Sequence, residues 1–206
     1  MKSLYKKGRG RRRYKERVDV QLAVSHGAFL PHEHSRGVVV PELLTAIGRT
    51  VINTHTLVDI GASKGHYVQA LLEAGYDIFG LDATPGIEEM TQGLVKQCDL
   101  VEDCSRWELC ADWGLFFEVG EHIPEQHEQV VLDNVAAMPR IGLLTSWSST
   151  KRGLRHVNPK SPVYIANEFG RRGWRLDPGR TEMLQKRLLK YRGLRRNVLA
   201  FLRCLA

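Results

Sequence analysis

A chain of 206 residues, 43% hydrophobic and 26% charged with 19 Gly and 8 Pro, has the length and composition of one globular domain that can bury its own core. That excludes wholesale disorder, collagen and coiled coil. No apolar run approaches the ~20 residues that cross a bilayer, and the first fifteen residues are charged, so a cytoplasmic protein without a membrane segment is expected.

The net charge of +7 is unevenly spread: residues 1–17 carry nine Lys/Arg against one acid, residues 18–150 six against 19, and residues 151–206 fifteen against three. Basic ends attract polyanions through counterion release, which makes nucleic acid an expected partner of residues 1–17 and 151–206. A solubilising tail and a solvated helix face is the plainer reading of the same charges. Residues 1–17 lack apolar periodicity and read as a flexible arm, followed by a single domain over 18–206. Cys98, Cys104, Cys110 and Cys204 form neither a disulfide framework nor a Cys-x-x-Cys pair, so reduced thiols and no metal are expected. His32-Glu33-His34 is a close cluster without a partner motif.

In chain order, a helix is predicted from Pro41 to Gly48, with Leu43, Leu44 and Ile47 on one side. Strand-like and helix-like stretches then alternate, the mark of a parallel sheet covered by helices. Strands are expected at 54–61, 76–82, 93–100 (weaker), 113–119 and 141–148. The intervening helices are expected at 66–75, at 84–93 with Thr84 as N-cap and Pro85 first, at 105–110, and at 124–138 with Val131, Val135 and Met138 on one face. Beyond Ser148 come a helix capped by Ser161, a strand at 173–177, a basic helix at 181–191 and a last strand at 196–204. The two final strands suit an antiparallel edge pair.

The most informative stretch is LVDIGASKGHYVQALLEAG, where Gly61 and Gly65 flank a tight turn between strand and helix. The spacing is not the G-x-G-x-x-G of a dinucleotide site. Asp82, closing the second strand as GLDAT, is placed to accept hydrogen bonds from a ribose diol.

At these residues the sequence resembles the class I S-adenosylmethionine-dependent methyltransferases: VDIGASKG is similar to their first motif, GLDAT to the second, CDL to the segment beside the adenine, and LFFEVGEHIP to the fourth. EVGEHIP followed by TSWS, HVN and NVLAFLR further resembles a group of small methyltransferase-like proteins. The resemblance implies a Rossmann-like, doubly wound, seven-stranded and mostly parallel sheet whose last strand is antiparallel, with a cofactor-binding core over 38–150 and a basic C-terminal part over 151–206. It implies S-adenosylmethionine as cofactor, with Asp59, Gly61, Ala62, Ser63 and Gly65 at the methionine part, Asp82 and Ala83 at the ribose, Asp99 and Leu100 at the adenine, and Glu118 and Val119 facing the methyl. Ser63 replaces the usual third glycine and Lys64 adds a cation to the turn.

Methyl transfer is an in-line displacement in which orientation supplies much of the rate. A base is needed only where the acceptor must lose a proton, and the candidates are His122, Glu118, Glu121 and His156. Each also reads as an ordinary helix-entry or loop residue. Trp107, Trp113, Trp147 and Trp174 could line an acceptor pocket or fill the core, with Trp147 the best placed of the four for the pocket. The acceptor is a small molecule or a nucleic acid. No Asn-Pro-Pro-Tyr stretch marks a base-amine methylase, and no lysine tetrad marks a ribose methylase. A catalytically inactive module binding nucleic acid or a protein partner through its basic ends is the alternative.

Overall fold

The computed structural model describes residues 39–51 and 56–204. The arm over 1–17, the His32-Glu33-His34 cluster and the first two residues of the expected first strand lie outside the described residues. Helix α1 (Pro41–Thr50) begins on Pro41, where a missing N–H costs nothing, and buries Leu43, Ala46 and Ile47. There follow β1 (Thr56–Ile60), α2 (His66–Glu73), β2 (Asp77–Asp82), α3 (Ile87–Met90), β3 (Val95–Gln97), β4 (Ala111–Phe117), α4 (Glu128–Ala137) and β5 (Pro139–Ser146). The chain closes with α5 (Pro162–Arg171), β6 (Trp174–Leu176), α6 (Pro178–Arg187), α7 (Arg192–Asn197) and β7 (Val198–Arg203).

The seven strands lie in the order β3-β2-β1-β4-β5-β7-β6. β7 runs antiparallel to both neighbours, Ser146 opposite Val198 and Leu176 opposite Phe201, and the other pairings are parallel. Successive strand residues enter opposite cores. Leu57, Leu115, Leu144 and Ala200 join Leu43 and Ile47 of α1, Val68 and Leu71 of α2 and Leu184 of α6. Val58, Phe116, Leu143 and Phe201 join Val131 and Val135 of α4 and Ile165 and Phe169 of α5. Burial on both faces is why these strands read as unbroken apolar runs, and the arrangement is the doubly wound sheet expected from the sequence.

The differences are local. Thr84 does not cap a helix: its hydroxyl donates to Asp82 at 2.6 Å, and α3 is one turn that begins after Gly86, at φ +76°. The helix expected at 105–110 is a single 3₁₀ turn, Ser105–Trp107. α6 starts before the expected Thr181, because Asp177 accepts from the Arg180 N–H at 2.9 Å and Pro178 follows that cap. α7 was not foreseen and takes the first two residues assigned to the last strand. Part of the basic charge beyond residue 150 is paired with acids. Lys160 pairs with Glu125 and Glu128, at 2.7 and 2.9 Å, and Arg172 with Asp133 and Glu168, at 2.7 and 2.8 Å.

Candidate active site

β1 neighbours both β2 and β4, so the connections leave it in opposite directions and open a crevice at the carboxyl ends of β1 and β4. There the turn after β1 meets the turn after β4. Gly61 lies at φ +82°, and a Cβ on it would stand 2.3 Å from Val119 Cγ2, so a side chain at 61 would push the two turns apart. The N–H groups of Gly61 and Ala62 both donate to the Leu81 carbonyl, at 2.7 and 2.9 Å, tying the turn to the end of β2.

Ser63, which stands where the resemblance puts a glycine, adopts a left-handed φ of +51°. Its N–H donates to Asp82 Oδ2 at 2.7 Å, while the Thr84 N–H and hydroxyl donate to Oδ1 at 2.9 and 2.6 Å. Asp82 therefore bridges the turns after β1 and β2, with Ala83 half-buried between its partners. The Cys98 N–H donates to the Asp82 carbonyl at 2.9 Å, which brings the turn after β3 alongside. In that turn Asp99 accepts from the Val101 N–H at 3.2 Å, and Leu100 is buried. Asp59 is buried next to this cluster, and desolvation, then the charge of Asp82, pushes its carboxyl up to about 7. Gly65 ends the turn at φ +73° and no side chain caps α2. The residues proposed from the sequence for the cofactor are thus drawn together over the ends of β1, β2 and β3.

The second half of the site follows β4, which stops at Phe117, so Glu118 and Val119 lie past the strand rather than in it. Glu118 takes a left-handed φ of +55°, donates its N–H to the Ser146 carbonyl at 2.8 Å and accepts the Ser146 hydroxyl at 2.5 Å. Glu121, in the 3₁₀ turn Gly120–His122, is 0% exposed, and neither carboxylate oxygen has a hydrogen-bond partner among the described residues. Burial, then the charge of Glu118, pushes its carboxyl up to about 8. His156 Nε2 lies 3.9 Å from Glu121 Oε1. The rings of His122 and His156 meet edge to face with centroids 4.9 Å apart, and burial, then His156, pushes His122 down to about 4. Glu121, His122 and His156 each offer one ligating atom, and those atoms all lie within 4.8 Å of one another.

The loop after β5 holds this cluster in place. The N–H groups of Val157 and Asn158 donate to the Glu121 carbonyl at 2.8 and 3.0 Å, and Trp147 Nε1–H donates to the Asn158 carbonyl at 2.7 Å. A Cβ at Gly120 would stand 2.3 Å from the Trp147 ring, and one at Gly153 2.2 Å from His156 Nε2, so two further glycines admit the rings that clamp the loop. Trp147 is 1% exposed and lies past the end of β5: it fixes the loop from the core rather than lining an acceptor pocket. Trp113 and Trp174 are buried in the core as well, and Trp107 packs on Phe79.

Sequence reasoning missed Glu128, a buried carboxylate that accepts from Asn158 Nδ2 at 2.9 Å, from Lys160 Nζ and from the Tyr164 hydroxyl. Its signal was a glutamate on the apolar side of α4, recognisable only once the loop was known to pass over it. It also missed Ser146, which binds Glu118 from the neighbouring strand.

No family model and no curated protein matches the chain. Solved structures do match. A TehB-like SAM-dependent methyltransferase from Corynebacterium glutamicum is 16% identical, with 94% of this chain and 97% of that one covered and a TM-score of 0.61. The 1,6-didemethyltoxoflavin-N1-methyltransferase of Burkholderia thailandensis, crystallised with 1,6-didemethyltoxoflavin and S-adenosylhomocysteine, is 14% identical, with 94% and 90% covered and a TM-score of 0.59. An O-methyltransferase family protein from Burkholderia thailandensis is 12% identical over 81% of this chain, which spans 56% of that protein's length, with a TM-score of 0.56. The fold of this chain is the Rossmann-like fold of these methyltransferases.

Proposed function

We propose that this protein is an S-adenosylmethionine-dependent methyltransferase. The observation that carries the reading is the Asp82 bridge: a carboxylate at the end of β2, fixed by Ser63 and Thr84, beside a turn whose Gly61 closes on Val119. Such a cradle suits a nucleoside, with a diol acceptor on one side and close backbone approach on the other. Asp59, Gly61, Ala62, Ser63 and Gly65 hold the methionine part, Asp82 and Ala83 the ribose, and Asp99 and Leu100 the adenine. When bound, the cofactor supplies an electrophilic methyl group on a sulfonium. Glu118 and Val119 face that methyl, and Glu118, Glu121, His122 and His156 receive the acceptor. The HVN loop lying on the EVGEHIP turn supports a kinship with the small methyltransferase-like proteins whose sequences these stretches resemble. The free thiols of Cys98, Cys104, Cys110 and Cys204 support a cytoplasmic location. No described helix is long and apolar enough to cross a membrane.

Calorimetric titration with S-adenosylhomocysteine tests this reading. Wild type binds one equivalent, and Asp82→Ala, losing hydrogen bonds worth about 1.5–3 kcal/mol each at a charged acceptor, binds at least tenfold more weakly. No heat with wild type, or unchanged affinity in a folded variant, rejects the assignment. A second reading, a module that binds a polyanion, draws on Arg187, Arg192, Arg195 and Arg196, all exposed along α6 and α7. These residues also favour a nucleic-acid acceptor. Turnover of a methyl-labelled donor with RNA separates the two readings, since a module without catalysis binds RNA and transfers nothing.

A further inference from the structure

His156 Nδ1 lies 2.9 Å from the Thr150 carbonyl. A carbonyl only accepts, so Nδ1 carries the ring proton and the neutral imidazole presents Nε2 as a lone pair. That lone pair faces Glu121 Oε1 at 3.9 Å. The carboxylate is fully buried, and its two oxygens have no hydrogen-bond partner among the described residues. Two acceptors turned toward each other, one of them fully buried, call for a proton or a metal ion between them. His122 closes the third side, its Nδ1 lying 3.3 Å from the Arg155 carbonyl, which fixes its tautomer in the same way. Each histidine is thus backed by a backbone carbonyl, the arrangement that orients metal-ligating imidazoles.

We propose that Glu121, His122 and His156 bind a divalent transition-metal ion. Two imidazoles and one carboxylate suit zinc, manganese or iron better than an all-oxygen cation such as calcium. Bonds of about 2.0–2.2 Å set ligand atoms roughly 3–3.5 Å apart. The separations here, 3.9 Å between Glu121 and His156 and at most 4.8 Å across the group, close to that spacing with about an ångström of side-chain adjustment. Three protein ligands leave coordination positions for an oxygen of water or of the acceptor. Ion binding stands independently of the methyl-transfer reading; only the acceptor at the open positions rests on it.

Titration of the full chain with Mn²⁺, read by electron paramagnetic resonance, tests the site without interference from the thiols. Wild type removes about one equivalent from the free-ion signal, and Zn²⁺ displaces it. Glu121→Gln and His156→Gln each weaken Mn²⁺ binding by about a hundredfold or more. Both keep wild-type circular dichroism and S-adenosylhomocysteine titration heats, and His122→Ala replaces either variant that does not fold. An undiminished free-ion signal with wild type, or equal Mn²⁺ affinity in folded ligand variants, overturns the proposal. Mn²⁺ binding without S-adenosylhomocysteine binding upholds the ion site and removes the methyltransferase assignment. The reverse result removes the ion site alone.

Discussion

Glu121 and Glu128 are buried carboxylates under the same loop, and Asn158 touches both, through its backbone N–H at Glu121 and its side chain at Glu128. Their chemistry is opposite. At Glu128 burial raises the carboxyl, but hydrogen bonds from Tyr164, Asn158 and Lys160 outweigh it and hold the group below its ordinary value. At Glu121 no side chain donates, the backbone of Glu121 and Ser148 offsets burial only in part, and the group is pushed up to about 8. Three side-chain donors serve one buried carboxylate and none serves its neighbour, so the two have different tasks. Glu128 locks α4, the loop and α5 together, and Glu121 is kept for a charge that comes from elsewhere.

Removing the clamp that both glutamates share has the largest expected effect. Trp147→Ala costs about 3–5 kcal/mol in urea unfolding and frees the loop, while S-adenosylhomocysteine affinity stays within about twofold of wild type. A large loss of that affinity would show that the two halves of the site are not separable. Gly61→Ala approaches the same turn from the cofactor side. Its Cβ meets Val119, and the cost is about 2–4 kcal/mol, from overpacking and a left-handed alanine, together with lost cofactor binding.

Glu128→Gln sharpens the contrast through pH. The folded-state value of Glu128 is lowered, so its stabilisation is complete above the unfolded value near 4.5 and is lost as pH falls through the folded one. Wild type should therefore exceed the variant by about 1–2 kcal/mol at pH 7 and converge with it in acid, as followed by denaturant titration at several pH values. A constant difference across the range would mean that packing, not charge, is what Glu128 contributes.

Asp59 carries the opposite sign. Its folded value is raised to about 7, so the native state holds a proton that the unfolded state releases, and stability falls as pH rises from about 4 to 7. Asp59→Asn should melt higher than wild type at pH 8 and close to it at pH 4. A variant that melts lower at pH 8 would mean the charge at Asp59 is satisfied after all.

The strand sequence of the sheet was legible because each parallel strand is buried on both faces and announces itself as an apolar run, as in LVDI and GLFF. The turn GASKG was legible because its glycines serve the local chain. The caps were less so: Thr84 has the composition of an N-cap, yet the tertiary neighbour Asp82 takes its hydroxyl. Asp177 precedes a proline and caps the helix, but an aspartate there closes a strand as readily, since cap and strand end share the same residues.

The sequence by itself determined the alternation of elements, the antiparallel close of the sheet and the pairing of a glycine turn with an acid at the next strand end. These are encoded in residues near one another along the chain. Only the tertiary structure decided that His156 returns across the crevice to Glu121 and His122, that Asn158 reaches Glu128, and that Trp147 serves as a clamp. Those contacts join residues that are far apart in sequence. A loop's path over a sheet is set by the core it docks on, here the Trp147 ring lying against Gly120, and no periodicity in the loop itself records it.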